Sequence, residues 1–126
     1  MLDMIKLVQD CHVRNIINDY LDIGGSAATS VAIKHAQRAN IGLQKYGVTT
    51  ERTDLSYGEW LQHMQDEVMD AVVYCERLLV DTPYDETDKL EKLRKLTSIQ
   101  ITLQQQAIML QEFIDEESTT ENPKTV

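Results

Sequence analysis

Apolar residues return at helical intervals four times along the chain, and each return is bounded by a stop or start signal. Ile5, Val8, His12, Ile16 and Tyr20 recur through a first segment, residues 2–22, that Gly24 and Gly25 end. Ser26 or Thr29 is placed to cap a second helix, which runs to Tyr46 and stops at Gly47. Val31, Ala32, His35, Ala39, Gly42 and Leu43 lie along one side of it. A helical Gly costs about 1 kcal/mol relative to Ala, so Gly42 predicts close helix packing there.

A polar loop over residues 48–55 leads to the strongest start signal, Ser56-Tyr57-Gly58-Glu59. This is a Ser-x-x-Glu capping box, with Leu55 placed as a hydrophobic staple, and it opens a third helix reaching Val80. Asp81-Thr82-Pro83 breaks that helix, and Asp85 is placed to cap a fourth over residues 86–117. The fourth carries Leu90, Leu93, Leu96, Ile99, Leu103, Ala107, Leu110 and Ile114 on one broad stripe, with Ile101, Ile108 and Phe113 beyond it. So wide a stripe exceeds what three shorter neighbours need, which predicts a homo-oligomer paired through the C-terminal helix. A wide intramolecular core face is the alternative. The expected fold is all-α: a bundle of about four helices with a long C-terminal helix, one domain over 1–117 and a flexible polar tail over 118–126.

Composition narrows the function. Of 126 residues, 12 are Lys or Arg and 21 Asp or Glu, a formal charge of −9. Binding to nucleic acid or to an anionic membrane surface needs clustered cations, so neither is expected. Cys11 and Cys75 have no CxxC spacing and read as buried reduced thiols. No apolar run reaches bilayer length and no cleavage pattern is present, so the expectation is a soluble, cytoplasmic protein.

Candidate chemistry sits on the third helix. At about 100° per residue, Glu59, His63, Asp66, Glu67, Asp70, Tyr74 and Arg77 fall in one wedge, while Trp60, Leu61, Met64, Val68, Ala71, Val72, Leu78 and Leu79 take the remaining surface. Asp66 and Asp70 are i,i+4 neighbours, and Glu67 and Asp70 are i,i+3. Such like-charge pairs cost a few tenths of a kcal/mol, and a divalent cation reverses the sign because hard ions prefer carboxylate oxygen. An ordinary solvated face is the simpler reading. A second cluster, Arg38, Asn40, Gln44, Lys45, Tyr46 and Gly47, closes the second helix. Arg38 and Lys45 are two turns apart and suit phosphates, and Tyr46 suits a base. Its simpler reading is a cationic helix end stopped by glycine.

Three stretches carry a resemblance: Arg38-Ala-Asn-Ile-Gly-Leu-Gln-Lys-Tyr-Gly47, Leu55-Ser-Tyr-Gly-Glu-Trp-Leu-Gln-His63 and Asp66-Glu-Val-Met-Asp-Ala-Val-Val-Tyr74. Over residues 34–80 the chain resembles small stand-alone MazG-like proteins, often encoded by bacteriophages. That resemblance implies an all-α nucleoside triphosphate pyrophosphohydrolase, a dimer or tetramer that binds Mg2+ through acidic motifs on two helices. Glu67 and Asp70 match the second motif, Glu-x-x-Asp, as catalytic and metal-binding residues. Asp66 stands where members often have Glu, and Glu59 is a further metal candidate. Arg38, Lys45, Tyr46, His63 and Tyr74 are the substrate-binding candidates for a nucleotide. The chain departs from the family at the first motif, because residues 30–46 contain no acidic residue. Two alternatives stay open. One is a non-catalytic phage-type protein that sequesters a nucleotide or blocks a host protein. The other is a structural helical oligomer whose acidic stripe only keeps it soluble.

Overall fold

The computed structural model describes residues 7–82 and 88–121, excluding the side chain of residue 121. They form four helices: α1 (Cys11–Ile23), α2 (Ser26–Tyr46), α3 (Tyr57–Asp81) and α4 (Lys89–Glu121). The all-α class with a long C-terminal helix is as expected. The chain divides into two compact units, residues 1–54 and 55–126, inside the span read from sequence largely as one domain.

The first unit is the α1–α2 hairpin. Its core is Val8, Ile17, Ala32 and Ala36, with Val13, Tyr20, Leu21 and Ala39 packed against it. Ala32 and Ala36 are one turn apart, and their lack of bulk lets α2 approach Ile17 on α1. The apolar row of α1 is therefore Val13, Ile17, Tyr20 and Leu21; Tyr20 belongs to the row read from sequence, but Val13 and Ile17 take the places of His12 and Ile16, and Ile16 is exposed. The predicted start of this helix is also corrected. Residues 2–6 lie outside the described residues, but residues 7–10 are not helical.

Asp10 is the reason. It is the N-cap of α1, accepting the backbone N–H of His12 at 3.0 Å and of Val13 at 3.4 Å. A capping carboxylate holds the entering chain out of the helix. Two carbonyls just before it, those of Val8 and Gln9, accept from the Arg14 guanidinium at 2.7 and 2.9 Å.

Gly24 and Gly25 both take positive φ, 79° and 95°, between the two helices. Gly25 itself is the N-cap of α2 and Ser26 its first helical residue, so neither Ser26 nor Thr29 caps. Gly47 ends α2 as expected, with φ 71° and its N–H on the Leu43 carbonyl at 2.8 Å. Gly42 departs from expectation: a methyl added there would meet nothing within 4 Å, so no close helix approach explains it.

The second unit is the α3–α4 hairpin. The capping box forms as predicted, with Ser56 Oγ accepting the Glu59 N–H at 3.1 Å and Glu59 Oε1 accepting the Ser56 N–H at 3.2 Å. From there Gly58, Leu61, Gln65, Val68, Val72, Cys75, Leu79 and Thr82 are all buried or half-buried, at alternating steps of three and four. On α4 the same alternation picks out Leu93, Leu96, Gln100, Leu103, Ala107, Leu110 and Ile114. Two such rows facing each other make an antiparallel coiled-coil seam.

Two glutamines inside the seam fix its alignment. Gln65, 6 % exposed, donates from Nε2 to the Ala107 carbonyl and to Gln111 Oε1, each at 3.1 Å. Gln100 donates to the Val72 carbonyl at 3.3 Å and to Glu76 Oε2 at 3.1 Å. A slip of the helices would strand these amides away from water, at about 1–3 kcal/mol each.

Most of the broad α4 stripe is thus covered inside the chain, by α3. Leu90 and Ile99, assigned to that stripe, are instead 81 % and 52 % exposed. α4 also runs on to Glu121, so residues 118–121 of the expected tail are helical; residues 122–126, like Asp85, lie outside the described residues.

Candidate functional site

The coiled-coil seam decides which way the acidic wedge points. Gly58, Leu61, Gln65, Val68 and Val72 turn toward α4, so Glu59, His63, Asp66, Glu67, Asp70 and Tyr74 occupy the outward side of α3, and all six are exposed. The wedge read from sequence therefore exists as one continuous face.

Its members are not equivalent. The Glu59 carboxylate is engaged by the capping box, and Asp66 Oδ1 accepts from Gln62 Nε2 at 2.9 Å. His63 stands edge-on to the Trp60 indole, with ring centroids 6.1 Å apart. Arg77 is drawn off toward Asp81, 2.7 Å away at i,i+4. The Glu67 and Asp70 carboxylates, one turn apart, make no hydrogen bond or ion pair within the described residues. Tyr74 is 66 % exposed beside them.

Magnesium can be tested against this donor set. Carboxylate oxygens are the right chemistry, and Mg2+ commonly takes only one or two from protein while water and phosphate fill the rest. Among the described residues, however, no group of three or more His, Cys, Asp or Glu side chains is arranged to hold a metal ion. Glu67 and Asp70 thus suit an ion that arrives with its own phosphate ligands, and do not form a cage for a bare one.

The cationic cluster belongs to the first unit. Arg38 is exposed on α2, and Lys45 lies in its last turn, where the carbonyl end of the helix favours a cation. The Lys45 ammonium sits 5.3 Å from the Tyr46 ring centroid, and that ring is 68 % exposed. Neither cation forms an ion pair with a described residue.

One polar centre was missed in the sequence. Both Asp10 oxygens also hold Thr50: its N–H lies 2.7 Å from Oδ2, and its hydroxyl 2.8 and 2.6 Å from Oδ1 and Oδ2. Burial pushes the Asp10 carboxyl up, but the Thr50 hydroxyl and N–H, with the His12 and Val13 N–H groups, outweigh it and hold the group below its ordinary value. Nearby, the Glu51 carboxylate and then burial raise the Cys11 thiol, which keeps it protonated. An Asp standing before an amphipathic run was the available signal for this cap. Its partner is 40 residues away, which local pattern cannot supply.

No helix among the described residues is long and apolar enough to cross a membrane. No family model, curated protein or solved structure matches the chain.

Proposed function

We propose that the chain binds a magnesium-bound nucleoside polyphosphate through the outward acidic face of α3. The observation that carries this reading is the pair Glu67 and Asp70, exposed and one turn apart, with no partner among the described residues to neutralise them. Such a pair is mildly self-repelling, and a divalent ion relieves it. Glu67 and Asp70 would hold the ion, with Asp66 and Glu59 flanking. His63 and Tyr74 border the same face and offer a ring and a hydroxyl to the nucleotide. Arg38, Lys45 and Tyr46 are candidates for phosphate and base in their own right, through charge-assisted bonds and stacking.

The reaction implied by the MazG-like resemblance is cleavage of a (d)NTP to the monophosphate and pyrophosphate. A bound Mg2+ supplies charge neutralisation on phosphate oxygens and a more acidic water. A second reading, binding without hydrolysis, is favoured by the absence of any carboxylate over residues 30–46. In that form the protein sequesters a nucleotide or occupies a site on a host protein, in the manner of a phage-type inhibitor.

Calorimetric titration with a panel of ribo- and deoxynucleoside triphosphates, with and without Mg2+, tests the proposal beside an assay for released pyrophosphate. Mg2+-dependent binding that Glu67→Gln and Asp70→Asn abolish supports the site. Pyrophosphate release then marks an enzyme, and its absence a sequestering protein. Failure to bind any nucleotide overturns the proposal, and a host-protein complex that survives both substitutions would establish the inhibitor reading.

A further inference from the structure

Apolar side chains are exposed all round the α3–α4 hairpin, Met69 and Val73 on α3 and Ile101 and Ile108 on α4 as much as Met64 and Met109. Exposure alone therefore singles out no face, but shape and charge together do. Met64 and Val68 of α3 and Met109, Leu110 and Phe113 of α4, with Gln106, line a groove of about 210 Å³ between the two helices. Tyr57 adds a ring beside Phe113, centroids 5.8 Å apart. Small-molecule sites commonly span about 300–1,000 Å³, so this groove takes side chains rather than a whole metabolite. On α4 its lining falls at Gln106, Met109, Leu110 and Phe113, an i, i+3, i+4, i+7 spacing that suits a second helix laid alongside. Methionine, unbranched and flexible, fits itself to a partner surface.

Charge decides what kind of helix. Over residues 57–76 of α3 and 96–120 of α4 there are nine Asp or Glu and no Lys or Arg. Glu67, Glu112 and Glu116 each stand three residues after a lining residue, Met64, Met109 and Phe113, and so on the neighbouring helix surface. All three are exposed, and none forms an ion pair with a described residue. We infer that the groove receives an amphipathic helix of a partner protein, its apolar row seated on Met64, Met109 and Phe113 and flanked by Lys or Arg that face these three carboxylates. Such an occupant covers the apolar lining and relieves the mutual repulsion of the rim in one step. The same rim rejects an acidic helix, and it rejects this stretch of a second copy, which would set carboxylates against carboxylates. The inference holds whether or not the chain takes a nucleotide.

Fluorescence anisotropy of dye-labelled synthetic peptides titrated with the full chain, without Mg2+ or nucleotide, tests it. The probe is a Leu/Lys peptide of about five helical turns, with Leu at i, i+3, i+4 and i+7 and Lys elsewhere. One control replaces every Lys by Glu, and the other scrambles the Leu positions so that they share no face. The chain should bind the probe at least tenfold more tightly than either control, and the emission of Trp60, one turn from Met64 and the only Trp in the chain, should shift to the blue. Met64→Gln with Met109→Gln should weaken binding at least tenfold, while Ile101→Gln with Ile108→Gln, exposed but outside the groove, should leave it unchanged. Glu112→Lys with Glu116→Lys should weaken the Leu/Lys probe and favour the Leu/Glu control. No binding of the probe overturns the inference, and so does equal binding of the scrambled peptide, which marks attraction by charge alone. A loss as large from the Ile101 and Ile108 pair overturns it too. So does a dimer in sedimentation equilibrium that Met64→Gln with Met109→Gln dissociates, since a second copy then fills the groove.

Discussion

Removing the Asp10 carboxylate puts the strongest local claim at risk. In Asp10→Ala four donors lose their acceptor: the N–H groups of His12, Val13 and Thr50, and the Thr50 hydroxyl. The cap alone contributes about 1 kcal/mol. Hydrogen bonds to a shielded charge contribute about 1.5–3 kcal/mol, and the Thr50 pair at 2.6–2.8 Å belongs to that class. Neither figure adds fully, since Thr50 can turn to water once released, so the expected loss is about 2–4 kcal/mol for the first unit. The pH dependence has a definite sign. The folded carboxyl lies below its ordinary value, so the unfolded chain takes up the proton first. The contribution is therefore complete above the ordinary carboxylate range and disappears as pH falls through the lower, folded value. Urea unfolding followed by circular dichroism gives the stability, and amide exchange at His12, Val13 and Thr50 gives its location. The gap between parent and variant should narrow in acid. A loss below about 0.5 kcal/mol at neutral pH, or a gap that stays constant into acid, refutes the reasoning.

Three further outcomes follow from the packing. Ala36→Leu forces bulk into the close approach of α1 and α2 and should cost about 1–3 kcal/mol in denaturant unfolding. Ser56→Ala removes half of the capping box and should cost about 1 kcal/mol, with faster amide exchange at Glu59. Glu67→Gln with Asp70→Asn should raise the melting temperature slightly without Mg2+ by removing like-charge repulsion. The parent should gain more from Mg2+ and nucleotide than the variant does, as differential scanning fluorimetry would show.

Local punctuation was the most readable part of the sequence. Ser56 with Glu59, and Gly47 after Lys45 and Tyr46, act through hydrogen bonds within a few residues, so their spacing states their role. Where a boundary depends on a distant group, pattern misleads. Val8 falls in phase with Ile5 and His12 and suggests continuous helix, yet Asp10, held by Thr50, is the N-cap and the helix begins only after it. Gln65 and Gln100 were invisible as core residues because an amide reads as surface; only the facing helix shows what satisfies them. The acidic face of α3 was legible because it is a property of one helix. Its relation to Arg38 and Lys45 was not, since that depends on how separate elements are placed.

α4 also runs against its own peptide dipoles. Lys89, Lys92, Arg94 and Lys95 outnumber Asp88 and Glu91, with which three of them pair, at the end where the macrodipole is positive, and Glu112, Asp115, Glu116 and Glu117 stand towards the end where it is negative. Excised as a peptide, the segment would rely on its Asp88–Lys92, Glu91–Arg94 and Glu91–Lys95 pairs to offset that order, and salt would screen both. Docking on α3, which is synthesised first, is what covers the uncharged fifteen-residue stretch 97–111, so an α3 that has not yet folded leaves that stretch bare in the nascent chain.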